Sequence, residues 1–286
     1  MTTTTTRPEA PAAARPARAA RPRPGVLFTG LAAVVLGVAA AAPWLLAPAD
    51  PDAIDLAATL QPPSPTHWFG TDEIGRDLYT RVVHGAGQSL TIGVGAAAVA
   101  LLLAVLLALA ATLAPGPVAT ATDRVIDVLF AFPTLLLALL LVSVLGPAPQ
   151  TLVVAVGVGV APGYARMVRA QLLGARRSPY VEAATALGHR RTRIVARHVL
   201  PNALRPLVAV FALSVGQCVV WASSLSFLGL GVAPPASEWG ALLEAGRAYV
   251  TVAGWLVVLP GLAIVALAVT ATALGRALQS HLEPGE

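Results

Sequence analysis

The sequence contains no lysine, because every one of its 19 basic residues is arginine. A phosphate-binding loop of the G-x-x-x-x-G-K-[ST] type needs a lysine to reach the β and γ phosphates of a nucleotide. The sequence therefore contains no such loop. Cysteine is also scarce: the single Cys218 excludes an internal disulfide and a CxxC metal site. Its place in an apolar run predicts a small buried residue.

Charged residues are few as well. They make up 12% of the 286 residues, against about 25% in an ordinary soluble domain. Hydrophobic residues make up 56%, and the mean hydropathy is +0.74. This composition indicates a protein of the lipid bilayer. A net charge of +5 also occurs in nucleic-acid-binding proteins, but the positions of the arginines favour membrane topology, so no nucleic-acid partner is expected.

Six apolar stretches are long enough, or nearly so, to cross a hydrocarbon core, which takes about 20 residues. Residues 1–24 precede them and are rich in Thr, Ala, Pro and Arg, so they are predicted to be a disordered cytoplasmic tail. The fourth stretch is short and requires little tilt, or arginines that snorkel at its end. The predicted spans are Gly25–Ala47, Ser89–Ala114, Ile126–Leu145, Thr151–Ala165, Pro206–Leu230 and Val252–Leu274.

The arginines set the predicted orientation, because short loops rich in arginine stay on the cytoplasmic side. With both termini inside, sixteen of the nineteen arginines are cytoplasmic, and only Arg76, Arg81 and Arg247 are outside. The first span also resembles a signal peptide, but its apolar run of about 23 residues exceeds the usual 7–15, which favours an uncleaved anchor. The prediction is an all-α, multi-pass membrane protein with six transmembrane helices and cytoplasmic termini.

Residues 67–90 (HWFGTDEIGRDLYTRVVHGAGQSL) are predicted to form an amphipathic helix on the outer surface. Ile74, Leu78 and Val82 recur at helical spacing, and Thr71 or Asp72 can cap the helix. A metal site is the alternative, with ligands from Asp72, Glu73, Asp77, His67 and His84. Their spacing matches no ligand pattern, so a solvated charged helix is preferred and no metal is expected.

Residues 165–205 form a cytoplasmic loop that contains nine arginines. Its apolar and small residues fall at helical spacing on both sides of Gly188, which can take the left-handed conformation that stops a helix. Thr192 then lies near the start of the next helix, and Pro201 is expected to end it. The simplest interpretation is a basic loop that fixes topology and touches lipid phosphates.

The same loop carries a more specific pattern. Its residues reproduce the E-A-A-x-x-x-G-(nine residues)-I-x-L-P signature of bacterial binding-protein-dependent ABC importer permeases, with His198 at the position of the isoleucine. RHVLPNAL resembles the peptide-import branch of that family, in which histidine is usual at this place. The matching residues are Glu182, Ala183, Ala184, Gly188, Leu200 and Pro201.

Further segments resemble the second permease subunit of dipeptide, oligopeptide and nickel importers. They are FGTDEIGRDLYTRVVHGA at 69–86, with Thr80 in place of the usual serine, DVLFAFPTLLLALLL at 127–141 and SFLGLGVAPPASEWGALL at 226–243. With the loop, these matches cover about a third of the chain. The motif residues of the first segment are Gly70, Thr71, Asp72, Gly75, Arg76 and Asp77.

The resemblance implies the transmembrane fold of a type I ABC importer. It divides the chain into the tail 1–24, a unit 25–86 with the first span and the outer segment, and a permease domain 87–280 that contains the coupling loop 165–205. In this family a short helix of the loop docks into a separate ATPase subunit. The implied partners are a homologous permease, two ATPase subunits that hold ATP and Mg, an extracytoplasmic solute-binding protein and the bacterial cell membrane, and no cofactor is expected on this chain.

Other functions are disfavoured by the sequence. Ion-coupled carriers keep ionisable residues within their spans, and these spans have almost none. An integral-membrane enzyme would need a polar cluster at one depth, whereas Ser223, Ser224 and Ser226 are better interpreted as helix-packing residues. Within the importer class, peptides are the first expectation for the cargo, and nickel chelates or opines are the alternatives.

Overall fold

The computed structural model describes residues 24–282, so all but the last residue of the predicted tail lies outside the described part of the chain. The described residues are mostly helical and have a single isolated β-bridge, between Thr71 and Asp77. The helices are α1 (Pro24–Ala41), α2 (Leu78–Leu113), α3 (Gly116–Ala131), α4 (Thr134–Leu145), α5 (Pro149–Arg176), α6 (Pro179–Ala186), α7 (Arg191–Ile194), α8 (Leu200–Leu204), α9 (Leu207–Leu225), α10 (Trp239–Arg247) and α11 (Trp255–Leu282). Short 3₁₀ turns lie at Pro43–Leu45 and Leu56–Ala58, and π-helical turns at Val195–Val199 and Ser226–Leu230.

Small residues hold the central helices together. On α2, Ala96, Ala100, Ala104 and Ala108 repeat every four residues and are fully buried. Facing them on α5, Gly157 approaches so closely that a Cβ there would lie 3.1 Å from the carbonyl oxygen of Ala96. Such small-residue stripes let helix backbones pack closely where lipid supplies no hydrophobic driving force. The alternation of small and large residues therefore fixes the α2–α5 pair.

Four helices are long and apolar enough to cross a bilayer: Leu78–Leu113, Pro149–Arg176, Leu207–Leu230 and Trp255–Ser280. The pair α3 and α4 passes the same test only as a broken span, bent by 95°, and the apolar part of the first helix, Leu27–Ala41, is shorter. The all-α membrane architecture predicted from the sequence is confirmed. The count of six spans stays a prediction.

The third predicted span, Ile126–Leu145, is not one helix. It breaks at Phe132 and Pro133, where Phe132 leaves the helical region with φ −79° and ψ 135°. A residue before proline is pushed out of the α conformation by the proline ring, and Pro133 has no N–H to continue the helical bonding. The span predicted here is therefore a bent pair of helices, and whether it crosses the membrane as one span stays a prediction.

The fourth span is longer than its apolar run suggests. α5 has 28 residues and continues past Ala165 to Arg176, into the region assigned to the loop. Arg166 and Arg169, near the end of the predicted span, form ion pairs with Asp127 and Asp123 of α3 over 2.6 Å each. These charges lower the local hydropathy without ending the helix, so the predicted end at Ala165 is too early.

The outer segment also differs from its prediction. Residues 67–77 are not helical, and α2 begins only at Leu78, with Asp77 as its N-cap: one carboxylate oxygen accepts from the amide of Thr80 over 2.8 Å. Asp72, Arg76 and Arg81 are buried rather than solvated. The solvated amphipathic helix is therefore wrong, because the charges of this segment satisfy one another inside the fold.

Candidate functional site

The segment with the family signature folds into a helix, a sharp turn and a second helical stretch. α6 begins with Pro179, which needs no hydrogen-bond partner in the first turn, and is closed by Gly188, which has φ +75°. The amide of Gly188 donates to the carbonyl of Thr185 over 3.0 Å, and the amide of His189 donates to that of Ala184 over 3.2 Å. These two bonds form a Schellman motif. The predicted left-handed turn at Gly188 is confirmed.

The signature residues of α6 divide between two faces. Ala184 is buried and packs in one apolar cluster with Leu172 of α5, Ile194 of α7 and Val199. Glu182, Ala183 and Gly188 are exposed, and so is Leu187, whose side chain is 75% exposed. The buried face holds α6 against the stretch Arg191–Val199 that follows the turn, while the opposite face presents a carboxylate, a small residue and a leucine to the outside.

The stretch after the turn stays helical through Pro201. The preceding turn, Val195–Val199, widens into a π-helix, and the amide of Leu200 bonds to the carbonyl of Val195. Pro201 then lies in the first turn of α8, where a missing N–H costs nothing. The expectation that Pro201 ends this helix is wrong. Leu200 is half-buried beneath it, and Pro201 itself is exposed.

Four exposed arginines of this segment form no ion pair with another residue that the structure describes. Within residues 24–282, no carboxylate lies within ion-pair distance of Arg190, Arg191, Arg193 or Arg197, all of which are exposed. Over the same range Glu182 also has no such pair. The segment therefore presents separated positive and negative groups that are free to bind charges on another molecule.

The outer motif is organised around Asp72. One of its carboxylate oxygens accepts from the amides of Ile74 and Arg76 over 3.0 and 2.9 Å. The other accepts from Nε of Arg76 over 2.6 Å and Nη1 of Arg81 over 2.9 Å. Buried charges are tolerated when paired and hydrogen-bonded in this way. Asp72 thus pairs with two arginines and fixes the turn that leads into α2.

The remaining motif residues shape the same turn. Gly70 has φ +75° and Gly75 has φ +81°, and a Cβ on Gly75 would lie 1.7 Å from the carbonyl oxygen of Asp55. The Thr71 hydroxyl donates to the carbonyl of Ala58 and accepts from the amide of Gln61. The structure therefore brings all six motif residues together, with contacts that are structural rather than directed at a ligand.

The histidines near this motif do not form a metal site. His67 Nδ1 lies 2.9 Å from a carboxylate oxygen of Asp77, and His84 Nε2 lies 3.0 Å from the carbonyl oxygen of Ala47. Across the described range 24–282, no group of three or more His, Cys, Asp or Glu side chains is placed to hold a metal ion. Both histidines act as hydrogen-bonding partners of the fold.

Arg81 also ties the start of α2 to the loop before α10. Its Nη2 donates to the carbonyls of Pro235 and Ala236 over 2.9 and 3.2 Å. One turn further along α2, a Cβ on Gly85 would lie 1.8 Å from the carbonyl oxygen of Ser237. The indole of Trp239 donates to the carbonyl of Val82 over 2.8 Å. We call these contacts between the first turns of α2 and residues 235–239 the outer clasp.

Glu238 is the N-cap of α10 and lies within the outer clasp. Its two carboxylate oxygens accept from the amides of Gly240 and Ala241, each over 2.9 Å. Burial raises the pKa of this carboxyl above its usual value, although the hydrogen bonds from Gly240, Ala241 and Ser89 act in the opposite direction. The cap therefore stabilises α10 while the surroundings disfavour the charge.

A cavity of about 500 Å³ lies between the α3–α4 break, α5 and α9. Phe130 and Phe132 line it from the break, Tyr164 from α5, and Gln217 and Trp221 from α9. The Tyr164 hydroxyl donates to Oε1 of Gln217 over 2.9 Å. In the sequence Gln217 is an amide within the apolar run of α9, but no local pattern indicates that Tyr164 faces it. The cavity exists because the chain turns at Phe132 and Pro133.

Comparison with known proteins identifies the family. The family described as "Binding-protein-dependent transport system inner membrane component" matches residues 82–285. The probable D,D-dipeptide transport system permease protein DdpC of Escherichia coli (strain K12) is 37% identical over 85% of this chain and 81% of that protein. The dipeptide transport system permease protein DppC of Alkalihalophilus pseudofirmus is 37% identical over 79% and 74%. The glutathione transport system permease protein GsiD of Escherichia coli O1:K1 is 40% identical over 78% and 73%.

Solved structures share the fold. An inward-facing structure of the MetNI methionine ABC transporter is similar with a TM-score of 0.53 and 20% identity, over 69% of this chain and 96% of that chain. An amino acid ABC transporter crystallised with histidines gives 0.59 and 16%, over 71% and 95%. At such identities these structures support the fold alone. Together with the family match and the relatives above, they show that this chain belongs to the binding-protein-dependent ABC importer permeases and is a transport component rather than an enzyme.

Proposed function

We propose that this chain is one of two homologous permeases of a bacterial importer for small peptides. It forms half of the translocation pathway in the cell membrane, with six spans and both termini in the cytoplasm. Two ATPase subunits, which hold the ATP and Mg, bind the α6 side, and a solute-binding protein delivers cargo to the outer side. The family match and the membrane-spanning helices support the part of this proposal that makes the chain an importer permease of a membrane.

The observation that supports the coupling role is the two-faced geometry of α6. Its buried face packs through Ala184 on the stretch Arg191–Val199, which in turn contacts α5, so a push on the exposed face is passed to α5 through that stretch. The exposed face carries Glu182, Ala183 and Leu187 without partners in the described chain. Closure of the ATPases then shifts the population between inward- and outward-open states through the contacts that each state makes.

Peptides are the cargo that the relatives favour. Their printed names refer to D,D-dipeptides, dipeptides and glutathione, all of which contain amide linkages between amino-acid units. Nickel chelates and opines, which the sequence left open, have no comparable support among these names. The cargo proposal therefore rests on similarity, and its test is separate from that of coupling.

Coupling is tested by copurification and transport in the assembled complex. We expect Gly188→Pro to lower both ATPase retention and uptake, because proline cannot adopt φ +75°. We expect Glu182→Ala to lower uptake with a smaller effect on assembly. Gly174→Ala, on an open surface of α5, is the matched control. Retention of the ATPases by both variants together with intact transport would refute the coupling role.

The cargo is tested on the solute-binding protein encoded beside this chain. Calorimetric titration with Ala-Ala, a nickel chelate and an opine is expected to give binding to the dipeptide only. Uptake of labelled Ala-Ala by the reconstituted complex is expected to follow. Binding of the nickel chelate or the opine in its place would overturn the peptide assignment and leave the coupling role standing.

A further inference from the structure

We propose that the cavity between the α3–α4 break, α5 and α9 is a subsite for the peptide backbone, with Gln217 as its main hydrogen-bonding group. The proposal rests on the peptide import proposed above and adds where in this subunit the cargo is contacted. Three observations support it: the position of Gln217 within its apolar helix, the ion pair beside the cavity and the hydrogen-bonding groups of the lining.

Tyr164 and Gln217 lie near the middle of their helices. α5 runs from Pro149 to Arg176, and the apolar helix that contains α9 runs from Leu207 to Leu230. Gln217 is therefore far from either end of its apolar helix, whereas Tyr164 lies two residues before Arg166, at the end of the apolar part of α5. Polar side chains at this depth face a protein interior or a water-filled cavity, and transporters place substrate near the midplane, beside broken helices. Gln217 is exposed and lies across the cavity from such a break.

Charged groups lie beside the cavity, among exposed apolar side chains such as Val128 and Phe130. On the same α3–α5 side, the exposed ion pair of Asp127 and Arg166 continues the polar surface, and the Arg166 guanidinium lies 4.0 Å from the ring centre of Phe130, a lining residue. α11 differs: its exposed stripe consists of Val258, Leu262, Val265 and Val269. The α11 stripe carries no charge, whereas the α3–α5 face combines apolar side chains with an ion pair beside the cavity, which a polar solute can contact.

The lining matches an amide. Because Tyr164 donates to Oε1 of Gln217, the two N–H donors of the Gln217 amide and one lone pair of Oε1 remain for a ligand. A peptide bond offers one acceptor and one donor, which this amide can pair with. Phe130, Phe132 and Trp221 supply apolar walls, and the lining contains no ionised side chain. Such a site recognises the backbone and tolerates different side chains, and its volume lies within the range of small-molecule pockets.

Thiol labelling tests whether the cavity is water-lined. Cys218 is the only cysteine and is fully buried, so Cys218→Ala gives a background for single introduced cysteines. In the assembled transporter in nanodiscs, we expect a charged methanethiosulfonate to label Gln217→Cys, and saturating Ala-Ala with the binding protein to slow that labelling. Val265→Cys, on the α11 stripe, is the control and is expected to stay unlabelled. Equal labelling of the two positions, or none at 217, overturns the subsite.

Uptake kinetics test the role of the amide. In proteoliposomes, Gln217→Leu is expected to raise the KM for Ala-Ala about tenfold, the equivalent of one hydrogen bond, and Gln217→Asn is expected to recover part of the loss. Val265→Ala is expected to leave uptake unchanged. An unchanged KM for Gln217→Leu overturns the subsite while peptide import stands. Absence of Ala-Ala uptake by the unmodified complex refutes peptide import, and the subsite falls with it.

Discussion

Asp72 and Arg81 form a buried ion pair in which a carboxylate oxygen lies 2.9 Å from Nη1, with both side chains 3% exposed. The pair joins a non-helical turn to the first turn of a membrane-spanning helix. Its partners on either side, Arg76 and the main chain at Pro235, extend it into the outer clasp. The stability of the outer end of the subunit therefore depends on charges that water does not reach.

Removal of the carboxylate should be costly. Asp72→Ala leaves Arg76 and Arg81 without their shared partner, and loss of one member of a buried pair destabilises by about 3–5 kcal/mol. The measurement is thermal unfolding of the purified subunit in detergent. Glu73→Ala is the control, because its carboxylate lies 3.5 Å from Arg76 and is partly exposed, which predicts a change of about 1 kcal/mol or less. An equal loss of thermal stability in both variants would contradict the conclusion that Asp72 is the main partner of the two arginines.

A methyl group at Gly85 should open the outer clasp. Gly85→Ala places a Cβ 1.8 Å from the carbonyl oxygen of Ser237, so the loop must move, at a cost of about 1–3 kcal/mol. Gly174→Ala has open space around its Cβ and should be neutral or stabilise by about 0.4–1 kcal/mol. Proteolysis at residues 232–238, followed by mass spectrometry, should detect opening in the first variant only.

The pH dependence of stability should report Glu238. Because burial raises its pKa in the folded state, the unfolded chain ionises first as pH rises. The contribution of the Glu238 carboxyl to the free energy of unfolding is therefore greatest below its unfolded pKa of about 4.3. This contribution is lost as pH rises through the folded pKa. Glu238→Gln removes this dependence, so its stability relative to the wild type should increase from pH 4 upward until the folded group ionises.

A pH-independent offset and a control variant separate the effect of Glu238 ionisation on stability from the other effects of the substitution. Gln keeps only one acceptor for the amides of Gly240 and Ala241, and that loss is an offset of about 1 kcal/mol that does not vary with pH. Glu244→Gln, on the same helix but half-buried, is the matched control. Parallel stability curves for wild type and Glu238→Gln across pH 4–8 would show that Glu238 titrates as it does in the unfolded chain.

Leu187 should matter to the complex and not to the subunit. Its side chain is 75% exposed beside the Gly188 turn, as exposed as Val144 of α4. Truncation of either residue to alanine should change subunit stability by less than about 0.5 kcal/mol. Only Leu187→Ala should weaken retention of the ATPases, because it removes apolar area from the exposed face of α6, where we propose that they bind. Equal retention in both variants would exclude Leu187 from that contact.

Much of the fold follows from sequence patterns, and the exceptions have physical causes. Long apolar runs correctly predicted α2, α9 and α11, because a helix that crosses a bilayer needs apolar side chains along its length. The run 126–145 was interpreted as one helix because a hydropathy pattern ignores the geometry that Pro133 imposes on Phe132. The end of α5 was set too early because Arg166 interrupts the apolar run, while its ion pair with Asp127 lets the helix continue.

The candidate sites show the same division. The Gly188 turn was predictable because it depends on local backbone conformation alone. The burial of Asp72 was not predictable from a local pattern. Its partner Arg81 lies nine residues further along the chain, and Arg81 in turn contacts the main chain at Pro235, more than 150 residues away. The facing of Tyr164 and Gln217 depends on how α5 and α9 pack, over a separation of 53 residues, and no local pattern encodes that.

The outer clasp has a consequence for biosynthesis. The indole of Trp239 bonds to the carbonyl of Val82 over a separation of 157 residues. At about 5–20 residues per second, a ribosome takes roughly ten to thirty seconds to cover that distance. During this interval α2 is already made while Arg81 lacks its carbonyl partners, so the Arg81 guanidinium is paired with Asp72 alone. A chain truncated before α10 would keep Arg81 in this state.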